Sequence, residues 1–296
     1  MNRAEFGQLV VALRKENIDL LEGKIWTQKH LAARANLPER MIGQLEQGNK
    51  MNLEPTVIAQ LAQALGLTSM ERAAFHAAAA EVDVNSFVSL QKPPAIIFAE
   101  LLAATNDVRL PTYIYDAYGT VVALNAAMRA LSILPEAMWA TGNESPAGFN
   151  LLRYYFASDS PIRTFLGINW TQFAVRTVQH FRATSLKYRH TTRFHTIFRD
   201  LYQYPAFQDF WARSKYVDED VYHRWDGIAY HHPQLGPLNY IVTEAATLTG
   251  REELFLVIYV PRDRQTAETF EALAQRVGVN MHKAASWPYA DELESS

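Results

Sequence analysis

Between Thr27 and Asn49 the chain reads TQKHLAARANLPERMIGQLEQGN, and the spacing of its apolar residues admits few folds. Thr27 is a residue type that caps a helix N-terminus. Leu31 and Ala32 then fall on the inward face of the helix that follows, Ala32 being small enough to let a second helix approach. Asn36 stands where a tight turn needs a left-handed backbone, which Asn tolerates better than most residues. From Pro38 a second helix buries Ile42 and Leu45 and leaves Glu39, Arg40, Met41, Gln44 and Gln47 facing outward. Gln pairs with adenine and Arg with guanine, each through two hydrogen bonds. The stretch therefore predicts two helices about a tight turn, with an outward face whose side chains suit the base edges of double-stranded DNA; a small helical protein-interaction or dimerisation module is the plainer reading.

The rest of the first eighty residues is also predicted to be helical. Phe6, Leu9, Val10 and Leu13 recur at helical spacing. Ile58, Leu61 and Leu65 mark a later helix that Gly66 can end, and MERAAFHAAAAE is a run of strong helix formers. Then the texture changes. VDVNSFVSLQKPPA carries two adjacent prolines and reads as a linker. With 296 residues, 49% of them hydrophobic, the chain is long enough for two domains. We expect an all-α domain over 1–80, a linker over 81–95, an α+β domain over 96–262, and a last helix and acidic tail over 263–296.

The formal net charge is -3, so no overall basic signature points to nucleic acid or to a membrane surface. There is no cysteine, which excludes disulfides and thiolate metal sites and fits a reducing cytoplasm. No apolar run approaches the roughly 20 residues that span a bilayer.

In the second part, TYIYD and TVVALN read as two strands about a turn at Gly119, free to take a positive φ. Residues 150–216 are helical in texture and dense in aromatics. Strands return in WDGIAYHHPQLGPLNYIVTEAATL, with a turn at Leu235–Pro237, and in ELFLVIYV. Tyr113 and Tyr115 alternate with Thr112 and Ile114 and so share a sheet face, as do Leu238, Tyr240 and Val242. Leu152, Tyr155, Phe156, Phe173, Phe207 and Trp211 lie on the helices expected opposite. Rings of this size packed between sheet and helices leave room for a long apolar cavity suited to an acyl chain. Arg153, with His231 or His232, is the candidate to hold a carboxylate head at its mouth. The plainer reading stands beside this: the rings are core, and Arg153 pairs with an acidic neighbour.

The first eighty residues resemble the helix-turn-helix of the Xre/Cro repressors at Thr27-Gln28, Leu31-Ala32, Ile42, Gln44-Leu45-Glu46, Gly48 and LAQALGL. That resemblance implies DNA contacts from Gln28, Glu39, Arg40, Met41 and Gln44, and an ion pair between Arg14 and Glu46. Pro38 replaces the usual Ser or Thr cap, Gly43 costs the recognition helix about 1 kcal/mol relative to Ala, and IDLLEGK is an apparent insertion. The D-x-x-G…N-x-A pattern at Asp116, Gly119 and Asn125 is the opening of a PAS domain, which implies a five-stranded antiparallel sheet packed on helices. With NLLRYYF, FWARSKYV and YHHPQLGPLNY in that order, residues 96–262 resemble the ligand-binding domain of the MmyB-like regulators. That family implies a small-molecule sensor, with fatty-acid-like compounds as the ligand class.

Other constellations carry less. His180, His190, His195, His223, His231 and His232 form no HExxH pattern, so no metal or other cofactor is expected. Asp218, Glu219 and Asp220 could be catalytic carboxylates, but three consecutive acids are more often a solvated loop. There is no G-x-S-x-G, P-loop or G-x-G-x-x-G. The expectation is a cytoplasmic one-component bacterial regulator, a homodimer that binds DNA and an apolar small molecule, with no enzymatic activity and no membrane association. The competing readings are an enzyme with an accessory DNA-binding module and a ligand-free PAS-like dimerisation domain.

Overall fold

The N-terminal helices form where side chains can satisfy their free ends. The computed structural model describes residues 1–18, 23–49, 54–84, 93–134, 148–158, 160–215, 228–248 and 253–289. Helix α1 (Arg3–Lys15) opens on a capping box: Glu5 N donates to Asn2 Oδ1, and Asn2 N donates back to the Glu5 carboxylate. Helix α2 (Gln28–Ala35) is capped by Thr27 and ends at Asn36, whose φ of 53° and ψ of 46° are left-handed. Helix α3 (Glu39–Glu46) starts after Pro38 without a side-chain cap, and α4 (Pro55–Ala64) and α5 (Ser69–Val84) follow. Gly7 lets α1 touch α3, because a Cβ there would lie 2.6 Å from the Leu45 carbonyl oxygen. Ile18 and Ile25 pair in an isolated antiparallel bridge, while residues 19–22 of the expected insertion lie outside the described residues.

The chain forms two compact units. The first takes residues 1–90 together with 177–199 and 208–219; the second takes 91–176, 200–207 and 220–296. The later pieces of the first unit come from α10 (Trp170–Thr184), α11 (Thr192–Tyr202) and α12 (Pro205–Arg213) and the short turns between them. Leu186 joins Phe6, Leu9, Leu31, Ile42, Leu45 and Phe75 in one buried cluster. The expected linker is helical at both ends, since α5 runs to Val84 and α6 (Pro94–Thr105) starts at Pro94; residues 85–92 lie outside the described residues.

The most demanding feature of the first unit is electrostatic. Glu71 is fully buried, and its Oε1 lies 2.8 Å from Arg189 Nη2 and 2.9 Å from Arg182 Nη2. Its other oxygen accepts from Thr68 N, so the same carboxylate caps α5. Trp211 covers both guanidinium groups, with ring-centroid distances of 4.2 Å to Arg182 and 4.8 Å to Arg189.

The second unit is built on a sheet of order β3-β4-β5-β1-β2-β6, in which all the paired neighbours are antiparallel. Its strands are β1 (Thr112–Asp116), β2 (Val121–Asn125), β3 (Ile228–His232), β4 (Gly236–Leu248), β5 (Glu253–Pro261) and β6 (Met281–Lys283). The sixth strand exceeds the five that the PAS resemblance implies; its three residues pair with the free edge of β2. Strand β4 already begins at Gly236, so the turn before it falls on residues 233–235 rather than at Leu235–Pro237. One sheet face carries Ile114, Val122 and Leu254 against Phe98 of α6 and Trp287. Helices α7 (Ala126–Leu131), α8 (Leu151–Phe156), α9 (Ile162–Leu166) and α13 (Arg264–Val277) complete the unit.

The motif residues Asp116, Gly119 and Asn125 shape this backbone. Asp116 Oδ1 accepts from Tyr118 N and Thr120 N across the turn in which Gly119 takes a φ of 78°. Asn125 Oδ1 accepts from Thr112 N and Met128 N, and its Nδ2 donates to the carbonyls of Val108 and Leu110. No helix among the described residues is long and apolar enough to cross a membrane.

Burial works against the Glu71 charge, but the Arg189 and Arg182 guanidinium groups outweigh it and hold its pKa below the usual 4.5. A depressed carboxylate pKa contributes stability above the unfolded value, and that stability is lost as pH falls through the folded value. Glu71→Gln leaves two buried guanidinium groups without their shared anion, at a cost of about 3–5 kcal/mol. Urea titrations of both proteins between pH 7 and pH 3 should show a lower midpoint for the variant at neutral pH and a smaller loss on acidification. Equal midpoints at pH 7 would contradict this account.

Candidate functional site

Helix α3 presents its outward residues as the apolar spacing requires. Ile42 and Leu45 are buried, while Glu39, Arg40, Gln44 and Gln47 are exposed. Met41 is different: it packs partly against the core and exposes only part of its surface. Arg40 and Gln44 are four residues apart and so stand one turn apart on the same face.

The end of α3 is held by Arg14. Its Nε lies 2.6 Å from Glu46 Oε1, its Nη2 donates to Oε2 at 3.0 Å, and its Nη1 donates to the Trp26 carbonyl. Gln28 Nε2 also donates to Glu46 Oε2, at 2.7 Å. One of the two Gln28 amide protons is therefore engaged within the protein. The Glu46 carboxylate thus joins α1, α2 and α3 in one fixed arrangement.

In the second unit, Tyr113 and Tyr115 share a sheet face with ring centroids 5.9 Å apart, and Tyr115 stacks on Phe255 at 4.9 Å. Tyr115 also donates to Glu244 Oε2. Leu238 and Tyr240 are buried. Tyr240 stacks on Tyr259 at 4.5 Å, and Tyr113 and Tyr230 flank this pair at 6.2 and 5.9 Å. Burial raises the pKa of Tyr154, Tyr240 and Tyr259 and pushes Tyr230 up to about 12, so all of them stay protonated donors at neutral pH.

The helical residues expected to line a pocket do not all meet. Leu152 and Phe156 are buried on α8; Phe156 contacts Phe207 edge-on at 5.6 Å; Phe173 is half-buried on α10. Trp211 instead belongs to the first unit, packed on Phe198 at 4.8 Å and over the two buried arginines. His231 and His232 face opposite ways: the first is exposed and the second buried. His232 Nε2 bonds the Leu131 carbonyl at the end of α7 and its Nδ1 accepts from Gln234 N and Leu235 N, so one nitrogen ties the strand to α7 and the other holds the turn. Burial lowers its pKa, which favours this neutral ring. Tyr155 lies on α8 beside Tyr154, with ring centroids 5.7 Å apart. Arg153 of the same helix has a buried Nε with no hydrogen-bond partner among the described residues.

Sequence reasoning missed Tyr154, Tyr230 and Tyr259. The period of two in β5, which sets Phe255, Val257 and Tyr259 on one face, was the available signal. His223, Asp218, Glu219 and Asp220 lie outside the described residues. Among the described residues no group of three or more His, Asp or Glu is arranged to hold a metal ion.

Helix geometry and sheet order together define a DNA-binding module joined to a PAS-like α+β domain. A family model for a helix-turn-helix matches residues 19–71, and one described as the MmyB-like transcription regulator ligand binding domain matches residues 98–273. No curated protein matches the chain. The second match covers more than half of the sequence, and the chain belongs to the MmyB-like transcription regulators: it is a DNA-binding regulator with a ligand-binding domain.

The exposed Gln44 amide on α3 suits a base edge. Gln44→Ala should weaken binding by about 1–3 kcal/mol at one base position of each half-site and relax selection there. Binding measured against single-base variants of a selected duplex checks this; a loss equal for all sequences would make Gln44 a phosphate contact.

Proposed function

We propose that this protein is a one-component bacterial regulator that binds operator DNA as a homodimer and is modulated by a small molecule with an apolar body and an acidic head, a fatty acid being the simplest example. Gln28, Glu39, Arg40, Met41 and Gln44 face the DNA in this reading. The aromatic face of the sheet, with α8, holds the ligand.

The observation that carries the ligand reading is the buried Nε of Arg153, without a partner among the described residues, on the helix that also bears Tyr154 and Tyr155. A buried donor without a partner costs free energy, and a carboxylate is the acceptor that best suits a guanidinium fork. The tyrosine row supplies further donors beside apolar ring surface, so the ligand head need not rely on Arg153 alone. Both nitrogens of His232 are engaged, with the Leu131 carbonyl and with the turn, so this reading assigns the head to Arg153 instead. The ligand must bind one arrangement of the dimer more tightly than the other, since equal affinity would shift nothing.

Thermal melts with decanoic acid and with its methyl ester test this. A ligand that binds only the native state raises the melting temperature. The acid should raise it more than the ester does, and Arg153→Met should remove the difference. No shift with either compound, and no small molecule released from the purified protein in mass spectrometry, would leave dimerisation as the role of this domain. Turnover of the added compound would instead favour the enzyme reading.

A further inference from the structure

The hold on the recognition helix extends beyond the helix-turn-helix. Glu16 is the C-cap of α1, two positions after Arg14. Its Oε2 accepts from Arg189 Nη1 at 2.6 Å, while Arg189 Nη2 donates to Glu71 Oε1 and to the Arg182 carbonyl. One guanidinium therefore bridges the end of α1 and the start of α5. Arg14, on the last turn of the same α1, grips Glu46 at the end of α3. Nearer the start of α1, Gly7 brings that helix into contact with the last turn of α3, where no side chain could fit. A shift of α1 must therefore move α3 with it.

Arg182 and Arg189 lie within residues 98–273, the stretch that matches the ligand-binding domain, yet they belong to the same compact unit as the helix-turn-helix. Stability alone does not account for them. Buried ion networks can often be replaced by apolar side chains without loss, whereas a guanidinium fork fixes two carboxylates at defined positions.

We propose that Arg189, with Arg182, is a positioning residue for the recognition helix: through Glu16 and Glu71 it sets the placement of α1, and so the angle at which Arg40 and Gln44 meet the bases. Residues of the ligand-binding segment thereby act on DNA readout. The inference rests on the regulator reading above, but its test needs no ligand.

The full-length protein is first used to select a preferred duplex from a random pool. Fluorescence anisotropy then gives its affinity for that duplex and for a scrambled one of equal length. Loss of folded protein lowers both affinities in proportion, so their ratio reports recognition geometry alone. The Glu16 side chain is 28% exposed, which makes its removal tolerable. Glu16→Ala should cut the ratio about tenfold, a usual size for coupling between sites, with the scrambled duplex bound as before. Arg189→Met should do the same, and Glu16→Gln, which keeps an acceptor for Arg189, should restore most of the ratio. An unchanged ratio in both Glu16→Ala and Arg189→Met, whatever their melting temperatures, would overturn the proposal. Failure of the unaltered protein to select any duplex would overturn the regulator reading, and this proposal with it.

Discussion

A carboxylate with no exposed surface, held by two arginines with almost none, is the constraint on which the first unit depends. Removing any of these three charges from water costs several kcal/mol, and their attraction repays it only if every hydrogen-bonding site is met. Glu71 nearly meets that condition: one oxygen takes both guanidinium groups and the other takes the backbone of Thr68. The ring of Trp211 closes over the arginines. The arrangement explains why residues far along the chain belong to the DNA-binding unit. Arg189 and Glu71 are 118 positions apart, and Arg189 and Glu16 are 173 apart. None of these groups can change partners without leaving a charge buried and alone.

That distance also explains what the sequence could and could not tell. Capping residues, the left-handed Asn36 and the stripes of α1 to α4 are local, and each was legible from spacing. So were the β1–β2 turn at Gly119 and the alternation of Tyr113 and Tyr115. The Arg14–Glu46 contact followed from family resemblance, not from spacing. Nothing in HFRATSLKYRH marks Arg182 and Arg189 as buried, since a lone arginine reads as a surface residue until its partner is known. Trp211 was counted with the ligand-facing aromatics for the same reason: its helix was visible, its partners were not. Strand β6 is three residues long and carries no period that could be read.

In the second unit, chemistry and architecture divide between different residues. Asp116, Asn125, Asn150 and His232 spend their polar atoms on turns and helix ends. The proposed ligand reading rests instead on the tyrosines and Arg153. Sheet order β2-β1-β5-β4-β3 brings Tyr113, Tyr259, Tyr240 and Tyr230 side by side from four consecutive strands, although they are far apart in the sequence. A row of protonated phenols combines apolar ring faces with polar hydroxyls.

The central claim is that part of the ligand-binding segment is an integral piece of the DNA-binding unit. Native-state hydrogen exchange on the full chain measures this directly, because amides that open together share one opening free energy. The core amides of α1 and α5 and those of residues 181–198 should exchange with a common free energy and a common response to urea, different from that of β4 and β5. If residues 181–198 instead open independently of α1 and α5, and in step with the sheet, the claim is contradicted.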